Sequence, residues 1–190
     1  MDDDVQGLEA VLADFARRPN TPMTDDRLRD AMCQCIERGL DQLPLPGSGQ
    51  TLERWRQLAT VGGIDLALLK LFEGHTDALV ILAELACTPF AEPGIWGVWA
   101  AEPPNAKVRA TAGSDQQFRL NGRKAWCSGA QQIDYALLTA WGVDDTPYLI
   151  AIHLDQPGIT IDAQAWQAVG MASTASVDVH FDNAVGYPIG

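Results

Sequence analysis

The stretch that decides the fold is Asn121-Gly122-Arg123-Lys124-Ala125-Trp126-Cys127-Ser128-Gly129-Ala130, in the second half of the chain. Alternate side chains of a strand point to the same face, so we expect Trp126 and Ser128 on one face and Cys127 on the other. An indole beside a hydroxyl, followed by a glycine that lets a ligand approach the backbone, suits a flat heteroaromatic ring with polar edges. The alternative is a core tryptophan followed by a serine in a turn.

Short extended segments surround this stretch from Gly94 onward, separated by Pro, Gly, Ser and Asp. Asn121-Gly122 is a favoured pair for a tight hairpin turn, so we place a turn there. The predicted strands are 95–101, 108–112, 117–120, 135–141, 148–154, 158–161 and 177–181. Strands this close together, without helices between them, predict a closed antiparallel barrel or a sandwich rather than a parallel sheet.

The residues before about position 92 place their apolar side chains at helical spacing instead. The predicted helices are one around 8–15, one capped by Thr24, one from Thr51 that Gly62-Gly63 stops, and a long apolar one from Asp65 to about Ala86. The sequence therefore predicts an α+β protein, with an N-terminal helical domain over 1–92 and a small antiparallel β domain over 93–190.

Composition and charge limit the classes of binding partner that the protein can have. The net charge of −12 argues against nucleic acid or an anionic membrane, because phosphate binding needs clustered Lys and Arg. A small anionic ligand stays compatible with one local basic patch. We find no apolar run of the roughly 20 residues that span a bilayer. The acidic start, Met-Asp-Asp-Asp, differs from a secretory signal, so we expect a cytoplasmic protein.

The four cysteines do not indicate a metal site. Cys33 and Cys35 lie two residues apart on a predicted helix and point in different directions, and Cys87 and Cys127 are isolated in the sequence. A metal site would need a second Cys or His pair at matching spacing. We therefore expect reduced cysteines that pack in the interior, and no bound metal.

Two further stretches carry chemical information. In Trp96-Gly97-Val98-Trp99-Ala100-Ala101-Glu102-Pro103-Pro104, a strand ends in a proline-stiffened loop, so its last backbone groups are free to meet a ligand. Residues 166–181 begin with Trp166-Gln167-Ala168-Val169-Gly170-Met171 and continue as a loop of small hydroxyl residues that feeds a final strand.

Together, these three stretches resemble the acyl-CoA dehydrogenase family over roughly residues 50–190. The middle β domain of that family carries an aromatic-rich strand that ends in Glu-Pro, then Asn-Gly-x-Lys-x-Trp-x-Ser/Thr, then Trp-x-x-x-Gly-Met and a closing strand that contains serine. This chain has Glu102-Pro103, then Lys124, Trp126 and Ser128, then Trp166 with Gly170-Met171. The pieces are separate and collinear, which makes the resemblance fairly specific.

The resemblance implies a flavoenzyme that uses FAD for the α,β-dehydrogenation of an acyl thioester. It implies that Trp126 and Ser128, with Cys127 between them, contact the flavin ring. It also implies that the end of the Glu-Pro strand bonds the ring, which places Val98, Trp99, Ala100 and Ala101 at the cofactor. An electron-acceptor protein and a homo-oligomeric full-length form are further implied partners.

The sequence departs from the family pattern in three places. Pro104-Asn105-Ala106-Lys107 replaces the usual glycine-rich loop, and Ala101 stands where the family usually has a threonine. The sequence stops at Gly190, where the family continues into a helical domain that supplies the catalytic carboxylate. No catalytic residue is therefore assigned, and we expect no turnover by these residues alone. Two alternatives remain: a binding or scaffold protein without catalysis, and a flavin monooxygenase on the same architecture.

Other polar residues fit ordinary roles better than functional ones. Glu73, His75 and Asp77 lie within one turn of the long helix, which favours a solvated stripe over a general base in a pocket. Arg123, Lys124 and Lys107 are expected to be solvated, with binding of cofactor phosphates as the alternative. His153 and His180 are expected at the surface or in hydrogen bonds.

Overall fold

The structure is a computed structural model that describes residues 2–17, 26–90, 93–114, 116–164 and 166–189. Its first half contains the helices α1 (Asp2–Arg17), α2 (Asp26–Glu37), α3 (Thr51–Ile64) and α4 (Leu66–Glu84). The predicted cap Thr24 lies outside the described residues. No helix within the described ranges combines the length and the apolar character needed to cross a membrane.

The boundary between α3 and α4 shows how local chemistry sets the helix ends. The Asp65 carboxylate accepts hydrogen bonds from the backbone N–H groups of Ala67 and Leu68, at 2.8 and 2.9 Å, so Asp65 caps α4 as predicted. The predicted stop at Gly62-Gly63 is wrong, because α3 continues through both glycines to Ile64. The backbone there keeps its helical hydrogen bonds, at the modest entropic cost of glycine.

The second half contains strands β1 (Trp96–Trp99), β2 (Val108–Ala112), β3 (Phe118–Cys127), β4 (Tyr135–Trp141), β5 (Pro147–His153), β6 (Ile159–Asp162) and β7 (Val177–Pro188). The pairings β4–β2, β2–β3, β3–β7, β7–β5 and β5–β4 form a closed ring. β1 adds to the ring beside β4, and β6 adds beside β7. The prediction of an α+β protein with a small β-barrel is confirmed.

The barrel is not antiparallel throughout. β1 runs parallel to β4 over four residue pairs, from Trp96↔Tyr135 to Trp99↔Leu138. β2 also meets β4 in a parallel pairing, at Arg109↔Trp141. The remaining neighbours in the sheet are antiparallel. Short runs of alternating residues carry no information about strand direction, which is why the sequence did not predict these two parallel pairings.

The hairpin predicted at Asn121-Gly122 is wrong, because β3 runs straight through both residues. The register between β3 and β7 shifts at this point, and Gly122 takes up the irregularity with a φ of +121°. A Cβ atom at Gly122 would lie 2.5 Å from the carbonyl oxygen of Lys107, so only glycine fits. Asn121 instead accepts a hydrogen bond from the backbone of Asn183, at 2.9 Å. The chain reverses earlier, where Gly113 N donates to Gln117 O at 2.8 Å.

One hydrophobic cluster joins the helices to the barrel. It contains residues of α1, α2 and α4, including Leu68, Leu71 and Phe72, together with barrel residues such as Leu120 and Ile150. A second, smaller cluster packs α4 against the outer faces of β1, β4 and β5. The apolar circumference of α4 is therefore covered on more than one side, and α4 holds β1 in position.

Candidate functional site

A cleft of about 510 Å³ lies where the loop after β1, the end of β3 and the start of β7 meet. Its lining residues are Pro103, Asn105, Arg123, Ala125, Trp126, Trp166, Gln167, Ala168, Ser176 and Asp178. Its volume falls within the roughly 300–1,000 Å³ that is usual for small-molecule sites. A cleft of about 580 Å³ near Phe90 and Tyr135 is larger but contains none of the site residues predicted from the sequence.

Trp126 forms one wall of the cleft because β3 is irregular at its end. The register against β7 shifts between Lys124 and Cys127, and Trp126 adopts a φ of +61°. This irregularity turns the indole outward, with 53% of the residue exposed, while Ala125 and Cys127 on either side are buried. An exposed tryptophan at a cleft can stack on a flat ring. The alternative of a core tryptophan at this position is wrong.

Ser128 lies just beyond the end of β3, in a turn, so strand alternation does not reach it. Its hydroxyl oxygen is 3.0 Å from that of Ser176, which lines the cleft. Its carbonyl accepts a 3.1 Å hydrogen bond from the Trp99 indole, and the next backbone N–H, of Gly129, donates to the Thr174 carbonyl at 2.7 Å. The Ser128 backbone is thereby fixed from both β1 and the loop before β7.

Cys127 points the other way. Its side chain is fully buried in the main hydrophobic cluster, and its thiol donates to the Lys124 carbonyl at 3.3 Å. Burial raises the pKa of the Cys127 thiol well above its ordinary value of 9.0, so the group is protonated at neutral pH. Any contact of Cys127 with a ligand would therefore come from its backbone.

The four residues predicted at the end of β1 divide into two pairs. Val98 packs on the smaller hydrophobic cluster, and Trp99 is 2% exposed with its indole turned inward to Ser128. Ala100 and Ala101 are exposed beyond the end of the strand. The Ala100 carbonyl accepts from the Thr139 hydroxyl at 3.0 Å. Their backbone contacts with a cofactor stay a prediction.

A buried ionic network supports this end of the barrel. Lys124 is fully buried, and its ammonium group donates to Glu102 Oε2 at 3.0 Å, to Thr139 Oγ1 at 2.7 Å and to the Thr139 carbonyl at 3.1 Å. Glu102 Oε1 accepts from the Trp141 indole at 2.6 Å. The expectation that Lys124 is solvated is wrong, and its three donors are all used inside the protein. Arg123 pairs with Asp178 beside the cleft.

His75 also differs from the prediction of a solvated stripe, because it is 1% exposed. Its Nδ1 accepts from the backbone N–H of Trp96, and its Nε2 lies 3.0 Å from Asp41 Oδ2. Since Nδ1 accepts, we assign the ring hydrogen to Nε2, which donates to Asp41. Glu73 and Asp77 are half-buried and pair with Lys70 and Arg54. His75 thus connects α4 to the first residue of β1.

The residues around the cleft fit a flavin ring. Trp126 offers a flat face, and Trp166 lies on the same cleft with an indole N–H that is buried and has no hydrogen-bond partner among the described residues. Buried N–H groups without partners are rare in proteins. Ser176 places a hydroxyl group in the cleft, and the Ser128 hydroxyl lies 3.0 Å from it. A heteroaromatic ring with polar edges has the shape and the bonding groups for this surface.

Comparison with known proteins identifies the family. The acyl-CoA dehydrogenase middle domain matches residues 89–184, which is half of the chain. The chain therefore belongs to the acyl-CoA dehydrogenase family, and the matched part is the barrel that carries the cleft.

Curated relatives match shorter stretches. A dibenzothiophene monooxygenase of Rhodococcus erythropolis is 40% identical over 84 residues, which are 40% of this chain and 19% of the relative. YdbM of Bacillus subtilis (strain 168), whose name places it provisionally among the acyl-CoA dehydrogenases, is 38% identical over 66 residues, or 34% of this chain and 17% of YdbM. Each match thus covers less than a fifth of the relative.

Solved structures resemble the whole chain in fold. TdsC, a dibenzothiophene monooxygenase from Paenibacillus sp. A11-2, solved with FMN and indole, has a TM-score of 0.67 at 23% identity. KijD3, solved with FMN and a dTDP-sugar, has a TM-score of 0.70 at 17% identity. The alignments cover 100% and 98% of this chain, but 52% and 51% of those proteins. The chain spans about half the length of these proteins.

Two cleft residues, Trp166 and Ser176, were missed as candidate site residues. Trp166 follows β6 in the sequence, and Ser176 precedes β7, about 50 residues after Trp126. The sequence did contain a signal for these two residues, because Trp166 is followed by Ser173-Thr174-Ala175-Ser176, a segment rich in hydroxyl side chains. Only the long pairing of β3 with β7 brings that run beside Ser128.

Proposed function

We propose that this chain holds a flavin in the cleft between Trp126 and Trp166, as part of a flavin-dependent monooxygenase that acts on a small aromatic substrate. The observation that carries this proposal is the cleft itself, which is lined by the exposed indole of Trp126 and by the hydroxyl residue Ser176. The dibenzothiophene monooxygenases among the relatives support the choice of chemistry. Monooxygenation was the alternative prediction, and it has more support than dehydrogenation.

The residues take separate roles in this proposal. Trp126 stacks on the ring, Ser128 bonds its polar edge, and the backbone at Ala100 and Ala101 approaches from the end of β1. The Trp166 indole N–H supplies a donor to the flavin. A bound flavin that has been reduced by an external reductant would supply monooxygenase chemistry, in which one atom of O₂ joins the substrate and the other leaves as water.

The charge around the cleft favours a small uncharged substrate over an acyl-CoA. Arg123 pairs with Asp178, and Lys124 is buried against Glu102. Lys107 lies over the Trp141 ring, with its ammonium 4.3 Å from the ring centre. These cations are engaged within the protein, whereas the phosphates of coenzyme A call for cations that can turn toward the ligand. FMN, with a single phosphate, places a smaller demand on the same surface than FAD.

The second candidate is an acyl-CoA dehydrogenase that uses FAD, which is the function that the family resemblance implies. The similarity to YdbM favours it. An acyl thioester substrate, an electron-acceptor protein and a homo-oligomeric full-length form belong to this candidate. The third candidate, a scaffold without catalysis, predicts that no flavin binds.

The test is to mix the purified chain with FMN or with FAD, remove free flavin by desalting, and record the visible spectrum. We then add indole, dibenzothiophene or butyryl-CoA to the flavin-loaded protein and follow the flavin bands. We expect retained FMN, and a band shift with the aromatic compounds but not with butyryl-CoA.

Each other outcome selects a different candidate. Retained FAD whose bands respond only to butyryl-CoA would support the dehydrogenase and overturn the monooxygenase proposal. A colourless protein with both flavins would contradict flavin binding by these residues, and binding of butyryl-CoA without flavin would then favour the scaffold.

A further inference from the structure

The cleft is lined by amide and charged side chains as well as by aromatic rings. These polar lining residues are Asn105, Arg123, Gln167 and Asp178. Arg123 and Asp178 are half-buried and bond to each other through Nη1 and Oδ2. Among the described residues, Arg123 Nη2 and Asp178 Oδ1 have no hydrogen-bond partner, and neither do the two side-chain amides. The cleft therefore offers a ligand both donors and acceptors.

Asp178 lies across from Trp126 because of the irregularity at the end of β3. The register shift that turns Trp126 outward leaves two residues of β3, at positions 125 and 126, opposite Asp178 alone. Val177 and Val179 on either side of Asp178 are fully buried, so alternation along β7 directs the Asp178 carboxylate to the outer face. A single feature of the barrel thus places an indole and a carboxylate in the same cleft.

The charges around Asp178 favour a neutral ligand group over a phosphate. Asp162 is the partner of Asp178 in the register between β6 and β7, and it is exposed. Directly opposed residues of antiparallel strands share a face, so two carboxylates stand here against the single guanidinium of Arg123. An anion would be repelled by this balance of charge. A hydroxyl group, in contrast, can donate to Asp178 Oδ1 and can accept from an N–H of Arg123.

We propose that Arg123 and Asp178, assisted by Asn105 and Gln167, form a subsite for the ribityl chain of the flavin; this inference rests on the proposed function. The ribityl chain is a neutral polyol joined to the ring, so a ring stacked on Trp126 brings its hydroxyl groups into the same cleft. The four residues stand outside the positions that carry the family resemblance. The assignment comes from the polar groups that line the cleft of this chain.

The test measures the dissociation constants of riboflavin, lumiflavin and FMN for the 190-residue protein by quenching of flavin fluorescence. Riboflavin and lumiflavin have the same ring, but lumiflavin carries a methyl group in place of the ribityl chain. The variants are D178A, N105A and R123Q. D182A is the matched control for D178A, because Asp182 is exposed further along β7 and does not line the cleft. Circular dichroism and the thermal midpoint monitor folding of each variant.

We expect the wild-type protein to bind riboflavin roughly tenfold more tightly than lumiflavin, as hydrogen bonds to charged side chains would give. D178A should lose most of this preference because the carboxylate acceptor is gone, and D182A should keep it. N105A, in an exposed loop, should lower the preference roughly twofold to threefold. FMN and riboflavin should bind wild type with similar affinity, because the phosphate gains no attraction beside two carboxylates.

The failure of this inference and the failure of the proposed function are distinguishable. Equal affinity of the wild-type protein for riboflavin and lumiflavin, or an unchanged preference in folded D178A or in N105A, would overturn the ribityl subsite while flavin binding stands. Tighter binding of FMN than of riboflavin that is lost in R123Q would assign Arg123 to the phosphate, and would overturn the subsite as well. Absence of binding of any flavin by the wild-type protein would overturn the proposed function and this inference with it.

Discussion

Lys124 is a lysine with no exposed surface, held by Glu102 and by both oxygens of Thr139. Loss of one partner of a buried ion pair leaves the other charge without compensation, which costs about 3–5 kcal/mol. We therefore expect K124M to lower the free energy of unfolding by about that amount in urea titrations. The matched control is K107M, because Lys107 is exposed over a tryptophan ring and its loss should cost no more than about 1 kcal/mol.

A second substitution separates the charge from the packing of Lys124. Because replacement of both partners of a buried pair by apolar residues is often neutral, K124M/E102L should be more stable than K124M alone. Equal stability of K124M and K107M would contradict the buried network.

The burial of Cys35 predicts how the free energy of unfolding changes with pH. Burial raises the pKa of the Cys35 thiol from 9.0 to about 12. Between these values the unfolded chain binds fewer protons than the folded one, so the free energy of unfolding falls as the pH rises from about 9 toward 12. Below pH 9 the contribution is fully present. We expect C35A to flatten this alkaline decline in stability, and an identical slope in wild type and C35A would contradict the assignment.

Sequence reasoning succeeded at residues whose role is local. Asp65 caps α4 because its carboxylate reaches N–H groups two and three residues ahead. It failed at His75 and Lys124, whose partners lie 34 and 22 positions away, at Asp41 and Glu102. A polar residue in a helix or a strand is usually solvated, and only a partner brought in by the fold makes burial favourable.

At the scale of elements, substitution by alanine should lower the stability of the protein at Gly122 and raise it at Gly63. Alanine at Gly122 would need a φ of +121° and a Cβ atom 2.5 Å from the Lys107 carbonyl oxygen, so G122A should be destabilised by about 3 kcal/mol. Alanine at Gly63, on the exposed side of α3 with open space around it, should stabilise by about 0.5–1 kcal/mol. Thermal unfolding followed by circular dichroism measures both. If G122A and G63A were destabilised by equal amounts, the course of β3 through Gly122 would be contradicted.

The hairpin predicted at Asn121-Gly122 shows why strand pairing is harder to predict than strand position. The same dipeptide that favours a tight turn also suits a bulge, because both need a glycine with positive φ. The choice is made by β7, which pairs with β3 on both sides of the irregularity, from Phe118↔Gly186 to Cys127↔Val177. Local sequence contains no signal for a partner strand about 60 residues away.

At the scale of the whole molecule, the main hydrophobic cluster crosses the predicted boundary between domains 1–92 and 93–190. Those two domains remain a prediction, and the shared cluster leads us to expect that they unfold together. Far-UV circular dichroism and tryptophan fluorescence should give coincident transitions in guanidinium chloride. Two separated transitions would indicate that the helical part and the barrel are independent.

The topology of the whole molecule explains how much of the site could be predicted from the sequence. Trp126 lines the cleft and follows from the stretch around it and from the family resemblance, whereas Ser128, predicted on the same grounds, lies beside the cleft residue Ser176 and is not itself a lining residue. Ser176 and Trp166 enter the site only when β7 closes against β3, so their part in the cleft is a product of the barrel topology.

The central claim is that the cleft at Trp126 holds a flavin, and the most direct test is the dissociation constant of FMN for three proteins, measured by quenching of flavin fluorescence. Trp55, on α3, is 64% exposed, so W55A is a matched control for W126A. We expect wild type and W55A to bind FMN with equal affinity and W126A to bind about tenfold or more weakly, as loss of a stacked ring of roughly 1–3 kcal/mol gives. Equal affinity of W126A and wild type would contradict the claim.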